Sequence, residues 1–323
     1  MAVSPALFRR VALVTAWMIG ALIVSGGAVR LTGSGLGCPD WPTCTQHHLV
    51  AALSFHPMVE FVNRLVNVVG TIVICAVAIA SLLRAPRRRD LVRLAWLLVA
   101  GVVAQIVVGG LVVLSKLAPP VVMAHFLLTV AMLGVAVVLH WRAAHPEGER
   151  IALVGRDVVW LSRLVVGLLA LVIAIGTAVT GSGPHSGAPG TPRLPFAFHD
   201  AAELHADAVW LLVGLTVALL VVLRSTRAPA AIRHRGRVVL VVMAAQGTIG
   251  YTQYFTHVPA LLVGAHLAGA SLLWAVVVRF HVGLAATRQG CGQPPVPALP
   301  GDEEARLVPA ALGAAPAVAG AAR

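Results

Sequence analysis

Three histidines of this chain, His125, His205 and His266, stand inside long apolar runs. A coordinating or ionisable side chain is costly inside a membrane and is by default a functional candidate there. Imidazole is a usual axial ligand of haem iron, whereas its bland use within a span is to hydrogen-bond one helix to another. The spacing favours the first use. Ala104-Gln105 with Gly109 and His125 is echoed by Ala245-Gln246 with Gly250 and His266, glutamine and histidine being 20 residues apart both times and the copies 141 apart. Isolated hydrogen bonders have no reason to repeat in a fixed frame. A further polar cluster, Glu60-Phe61-Val62-Asn63-Arg64, also interrupts an apolar run. Its carboxyl and guanidinium groups are one helical turn apart, which suits proton handling or an ion pair.

These residues need elements that hold them in a bilayer. Of 323 residues 59% are hydrophobic and 11% charged, and the mean hydropathy of +0.89 exceeds what a water-soluble domain tolerates. A bilayer core of about 30 Å is crossed by about 20 apolar residues. Such runs fall near residues 11–29, 58–83, 91–114, 120–141, 158–180, 201–223, 238–256 and 259–281. The expected fold is an all-α membrane protein of eight transmembrane helices. The first run is flanked by Arg9 and Arg10 and has no small-residue cleavage site after it, so it reads as a retained span rather than a signal peptide.

The net charge of +12 raises nucleic acid as a partner, but the positions of the basic residues exclude it. Arg9, Arg10, the 84–93, 142–156 and 224–237 loops and the tail carry nearly all the positive charge, against Arg30, Lys116 and Arg193 on the other side. Basic flanks stay on the cytoplasmic side. The chain therefore reads as a multi-pass cell-membrane protein with both termini cytoplasmic and the loops at 30–57, 115–119, 181–200 and 257–258 facing outward. Cys38 and Cys44 share the first outward loop, where an oxidising compartment permits a disulfide, either a structural staple or a redox pair. Cys75 lies in a span and Cys291 in the tail.

The repeat extends beyond the histidines. Gly27-Ala28-Val29-Arg30-Leu31-Thr32-Gly33-Ser34-Gly35 after the first span is echoed by Gly176-Thr177-Ala178-Val179-Thr180-Gly181-Ser182-Gly183 after the fifth. His140 and His281 each follow the earlier histidine by 15 residues. Four spans per half give both halves one orientation, as two homologous four-helix bundles related by a pseudo-twofold axis along the membrane normal. The expected organisation is an N-terminal half at 1–145, a C-terminal half at 146–283 and a disordered tail at 284–323, rich in Ala, Pro and Gly. Asn63, His125, His205 and His266 then form one layer, one to two turns below the outer surface. His205 and His266 make a ligand pair in the second half, while His125 meets Asn63 in the first. His140 and His281 fall at the cytoplasmic ends and read as interfacial; His47, His48, His185, His199 and His257 lie in or near outer loops and read as structural or solvated. The Gly-Ser-Gly turns lack a following Lys-Ser/Thr and are tight turns rather than phosphate cradles.

Thr32 to Cys44 reads Thr-Gly-Ser-Gly-Leu-Gly-Cys-Pro-Asp-Trp-Pro-Thr-Cys. With Glu60, two residues, then Asn63-Arg64, this run resembles the haem A synthase family, and the resemblance extends over roughly residues 8 to 283. It implies an enzyme that oxidises a methyl group of haem O to a formyl group through hydroxylated intermediates, with a bis-histidine haem b passing electrons. The family's histidines carry over onto His205 and His266 as axial ligands of haem b and onto His125 as the axial ligand of the substrate haem. Its glutamate carries over onto Glu60 as the catalytic group, and its loop cysteines onto Cys38 and Cys44. The family's fourth histidine is replaced by Asn63, a poor iron ligand. The first-half haem is then five-coordinate through His125, or another group such as His56, seven residues earlier on about the same face, completes it. Arg64 either binds haem propionates or pairs with Glu60, and Trp41 either covers a haem edge or packs within its loop. Implied partners are haem O, membrane lipid and, on pathway logic, haem O synthase and oxidase assembly factors. Three rival readings fit less well. A quinol-linked cytochrome b would pair histidines at both depths, a haem carrier would show a tryptophan-rich outer loop, and a secondary transporter would break its helices at midplane.

Overall fold

A computed structural model describes residues 2–46 and 48–288. Eight helices among the described residues are long and apolar enough to cross a membrane. They are α1 (Pro5–Leu31), α2 (Phe55–Leu83), α3 (Arg89–Leu114), α4 (Pro119–Ala143), α5 (Arg156–Ser182), α6 (Phe198–Ser225), α7 (Ala230–Phe255) and α8 (Ala260–Val282). Helices suit this setting because every backbone polar group inside the span is satisfied within its own segment.

Most helices begin within a few residues of their apolar runs, but α7 starts eight residues before the run expected at 238. Arg233 and Arg237 lie in those added turns and are exposed. An apolar run stops at the first charges, whereas the helix continues into the polar interface, where guanidinium groups stay solvated on long stems. A second difference is a two-stranded sheet, β1 (Arg150–Ala152) antiparallel to β2 (Ala285–Thr287), with Arg150 opposite Thr287. The chain is thus ordered through Arg288, past the expected start of the tail at 284, because backbone pairing with the α4–α5 connection holds it. Residues 289–323, Cys291 among them, and His47 lie outside the described residues.

Packing follows the same neighbour order in both halves. Helices α1 to α4 each pack on the next and α4 returns to α1; α5 to α8 do likewise, with α8 returning to α5. Between halves, α1 meets α8, α4 meets α5, and α4 meets α8. The shared core includes Phe8, Ile19, Ile74, Leu98, Leu139, Leu169 and Leu212, while Trp17, Val103, Trp210 and Val241 stand exposed on the outer flanks, as lipid-facing residues would. The short α3–α4 and α7–α8 connections are built alike. Lys116 and Leu117 (φ 54° and 62°) and His257 and Val258 (φ 64° and 58°) are consecutive left-handed residues at positions 141 apart. Because non-glycine residues adopt this region reluctantly, its recurrence at matching positions is a structural echo of the sequence repeat. At the end where α1 and α5 finish, Arg30 ties the halves, Nε donating to the His185 carbonyl (2.7 Å) and Nη2 to that of Thr180 (2.8 Å).

At the opposite end Arg88, which is buried, donates to both carboxylate oxygens of Asp90 (3.1 and 2.9 Å) and to the carbonyls of Arg142 (3.1 Å) and His145 (2.7 Å). It joins the start of α3 to the end of α4. Arg88→Ala removes the donor that bridges Asp90 to the Arg142 and His145 carbonyls, a cost of about 1–3 kcal/mol. Thermal unfolding in detergent should show a clearly lowered Tm; an unchanged Tm would mean that water replaces the guanidinium at no cost.

Candidate functional site

The four residues of the expected layer each lie six to eight residues into an even-numbered helix: Asn63 in α2, His125 in α4, His205 in α6 and His266 in α8. At 1.5 Å per residue that places them at about 9–12 Å from the start of each helix. All three histidines are partly buried. The imidazoles of His205 and His266 face each other, with ring centres 6.4 Å apart and planes at 68°.

A recurring local device sets each ring. A Cβ added at Gly176 or Gly250 would sit 3.0 Å from Cε1 of His205 or His266, and one at Gly109 would sit 3.2 Å from Cε1 of His125. Each imidazole therefore lies against the bare backbone of the preceding helix, an approach that only glycine allows without a shift. The glutamines of the repeat act beside it. Gln105 Nε2 donates to the main-chain oxygen of His125 (3.0 Å) and Gln246 Nε2 to that of His266 (2.6 Å), bracing α3 on α4 and α7 on α8. The 20-residue echo is thus a hydrogen bond made twice. In the sequence, the echo of Gly176 marks only the turn after α5; a glycine within one helix packing distance of a candidate ligand is the signal that finds its role.

Ring nitrogen Nδ1 of His125, of His205 and of His266 is buried without a hydrogen-bond partner. The Nδ1–Cε1 edge is turned to the glycine, which leaves Nε2 to meet a ligand. Ligating histidines are usually oriented by an acceptor at the other nitrogen; here contact with glycine does that work. The pair also has the right separation. Two metal–imidazole bonds of about 2.0 Å, each extended by about 1.1 Å to the ring centre, span roughly 6.2 Å. Among the described residues no three His, Cys, Asp or Glu side chains converge. A bare metal ion wants three or four protein donors, whereas iron held in a porphyrin needs one or two axial ones. The residues present fit haem.

The first half is arranged differently at its second position. Asn63 Oδ1 accepts a hydrogen bond from Ser25 Oγ on α1 (2.8 Å). His56 is exposed and shares a hydrogen bond with Ser34 Oγ (3.0 Å), which ties it to the outer loop rather than to the layer. Glu60 is buried, its Oε2 accepting from the Cys38 amide (2.8 Å) and its Oε1 from Arg64 Nη2 (2.8 Å). Arg64 donates further to the carbonyls of Cys38 (3.0 Å), Asp40 (3.0 Å) and Thr43 (2.9 Å). Arg64 is ion-paired with Glu60. Cys38 and Cys44 are disulfide-bonded and almost fully buried, so the pair Glu60–Arg64 holds a closed loop against α2. From that loop Trp41 reaches α3, where its ring lies against Gly110, beside the glycine that carries His125. It packs across to a helix rather than within its own loop. Farther away, His281 bonds Ser162 (2.9 Å), His140 the Arg9 carbonyl (3.3 Å), and His185 the Val258 carbonyl (2.9 Å), each a structural use.

Comparison with known proteins adds to this geometry. Residues 9–278 match a family described as cytochrome oxidase assembly protein. A protein named heme A synthase from Geobacillus kaustophilus (strain HTA426) is 34% identical over 115 residues, 35% of this chain and 36% of its own length. One of the same name from Geobacillus thermodenitrificans is 30% identical over 138 residues, 42% of this chain and 43% of that one. Another from Bacillus cereus (strain 03BB102) is 22% identical over 278 residues, 82% of this chain and 89% of its own. The chain thus aligns with less than half the length of the two Geobacillus relatives and with most of the third.

The loop clamp is directly testable. Arg64→Ala removes the donor to at least three loop carbonyls and the partner of a buried carboxylate. The expected result is faster proteolysis of the 38–44 segment and faster reduction of the disulfide by dithiothreitol, read by mass spectrometry. Rates equal to those of the parent protein would show that the loop is held by something else.

Proposed function

The chain belongs to the family of cytochrome oxidase assembly proteins, and on that premise we propose that it is a haem A synthase, an integral membrane oxidoreductase that oxidises a methyl group of haem O to a formyl group through hydroxylated intermediates. The observation that carries this reading is the facing pair His205 and His266 at 6.4 Å, repeated in part by His125 in the other half. The names of the relatives point the same way.

His205 and His266 are the proposed axial ligands of a resident haem b, a group that when bound supplies one-electron transfer. Gly176 and Gly250 orient the two rings, and Gln246 fixes the backbone behind one of them. His125, braced by Gln105, is the proposed ligand of the substrate haem, and Asn63 stands where a second ligand would be. An asparagine tied to Ser25 binds iron poorly, which suits a site whose substrate must arrive and whose product must leave. Glu60 is the proposed proton-handling group. Its carboxylate is already engaged by Arg64 and the Cys38 amide, so a change in its protonation is coupled to how tightly the loop is held. The loop with Trp41 covers the outer end of the first half and limits water there.

In this reading the N-terminal half, residues 1–145, serves the substrate and the C-terminal half, residues 146–283, the cofactor. The halves are a duplicated bundle related by a pseudo-twofold axis, and both termini are cytoplasmic. The identical neighbour order and the matching left-handed connections support the duplication. Haem O synthase and oxidase assembly factors are the proposed partners.

Co-expression with a haem O synthase, followed by haem extraction and mass detection, tests the reading. Haem B together with haem O, its hydroxylated form or haem A is expected; haem B alone would turn the protein into an electron-transfer cytochrome or haem carrier. His205→Ala or His266→Ala should abolish the low-spin haem b spectrum, and Glu60→Ala should keep it while stopping turnover. Asn63→His should convert the first-half haem to a low-spin, six-coordinate form that no longer binds carbon monoxide when reduced; carbon monoxide binding equal to that of the parent would show that residue 63 does not face the iron.

A further inference from the structure

A cavity of about 600 Å³ opens between α1 and α2 at their outer ends. Ala28 and Val29 of α1 and Phe55, Met58, Val59 and Val62 of α2 form its walls, and no charged residue lines it. Its polar groups are Ser54, just ahead of α2, and the hydrogen-bonded pair Ser25–Asn63. Phe55 and Val62 are 63% and 48% exposed, so one flank of the groove faces whatever surrounds the protein, which along a span is lipid. Asn63 belongs to the histidine layer. The groove therefore runs from the lipid-facing flank to the first-half site.

Its size falls among binding cavities, which occupy about 300–1,000 Å³. Without a cation it offers nothing to the propionates of a porphyrin, and with only Ser54 and the mutually bonded Ser25 and Asn63 it offers little to a sugar or peptide. It suits a hydrocarbon chain attached to something held in the histidine layer. Haem O differs from haem B by a long isoprenoid alcohol chain on one pyrrole ring. We propose that the α1–α2 groove holds the isoprenoid chain of the porphyrin substrate, which arrives sideways from the outer leaflet. This rests on the haem O reading above. The gain is one of shape and contact rather than of escape from water, because the chain is already in an apolar solvent. The expected preference is accordingly modest, on the order of tenfold for haem O over haem B.

Titration of the full-length protein in phosphatidylcholine nanodiscs with haem O and with haem B, the second-half haem b already in place, tests the idea. Ala28→Phe and Val62→Trp each fill the groove without touching the histidines, and an unchanged low-spin haem b spectrum reports that the fold is intact. The parent protein should bind haem O about tenfold more tightly than haem B, and either variant should lose that preference through weaker haem O binding, with haem B affinity unchanged. If the parent prefers haem O and both variants keep the preference, the groove does not hold the chain and the substrate reading stands. If the parent shows no preference, both fall together. Release of a co-purified phospholipid by Val62→Trp with haem O affinity unchanged would assign the groove to an ordinary lipid and overturn the proposal.

Discussion

A bilayer core has no water to satisfy a buried polar group, and this constraint governs every polar contact in the protein. The candidate ligands are paired to backbone in a way that leaves little to chance. Gln105 and Gln246 turn their amides onto histidine carbonyls, and glycine at 109, 176 and 250 brings each imidazole against a helix. Several of the buried groups that remain unsatisfied lie at the site. The three buried Nδ1 atoms and the buried side-chain oxygens Oε1 of Gln105 and Gln246 have no partner in the protein. Such groups cost stability, and they are tolerated where function needs pre-set side chains.

The helix sets α1–α4 and α5–α8 share a neighbour order and differ at one position of the expected layer. Where the second half places His205, the first has Asn63 bound to Ser25. Both sites retain a glycine-backed, glutamine-braced histidine. In the proposed reading one half grips a planar metal complex from both sides, and the other from one. In a duplicated bundle, weakening one site while keeping the other is the simplest way to separate a permanent cofactor from something that must come and go.

How much of this could be read from the residues varies with the kind of constraint. The spans were legible because about 20 apolar residues in a row have few other uses. The start of α7 was not, since Arg233 and Arg237 hide a helix that extends past the apolar core. The β1–β2 pairing is not legible because three-residue strands carry no periodicity, and Ala285–Thr287 sits at the edge of a segment rich in Ala, Pro and Gly. The 141-residue frame links His125 to His266, whereas His205 and Asn63 join them in the expected layer only through the order of the spans. The purpose of the layer's companions was not legible: the spacing of Gln246 and His266 announces a relation, but only coordinates reveal a side-chain amide on a main-chain oxygen. Ser25 is a serine among apolar residues with no motif around it, and its role exists only through Asn63.

Glu60 shows why a residue's setting matters as much as its type. A carboxylate in a span invites a catalytic reading, yet its two oxygens are already occupied, one by Arg64 and one by the Cys38 amide. The two roles are compatible. Arg64 also binds loop carbonyls on both sides of Trp41, at Asp40 and Thr43, and Trp41 rests on α3 next to the glycine behind His125. A proton added to Glu60 weakens its bond to Arg64 and thereby the hold of Arg64 on the loop, so the charge of one buried carboxyl bears on the cover of the first-half site. In the proposed reading, chemistry at that carboxyl and access to the first-half site are therefore linked through a single guanidinium group.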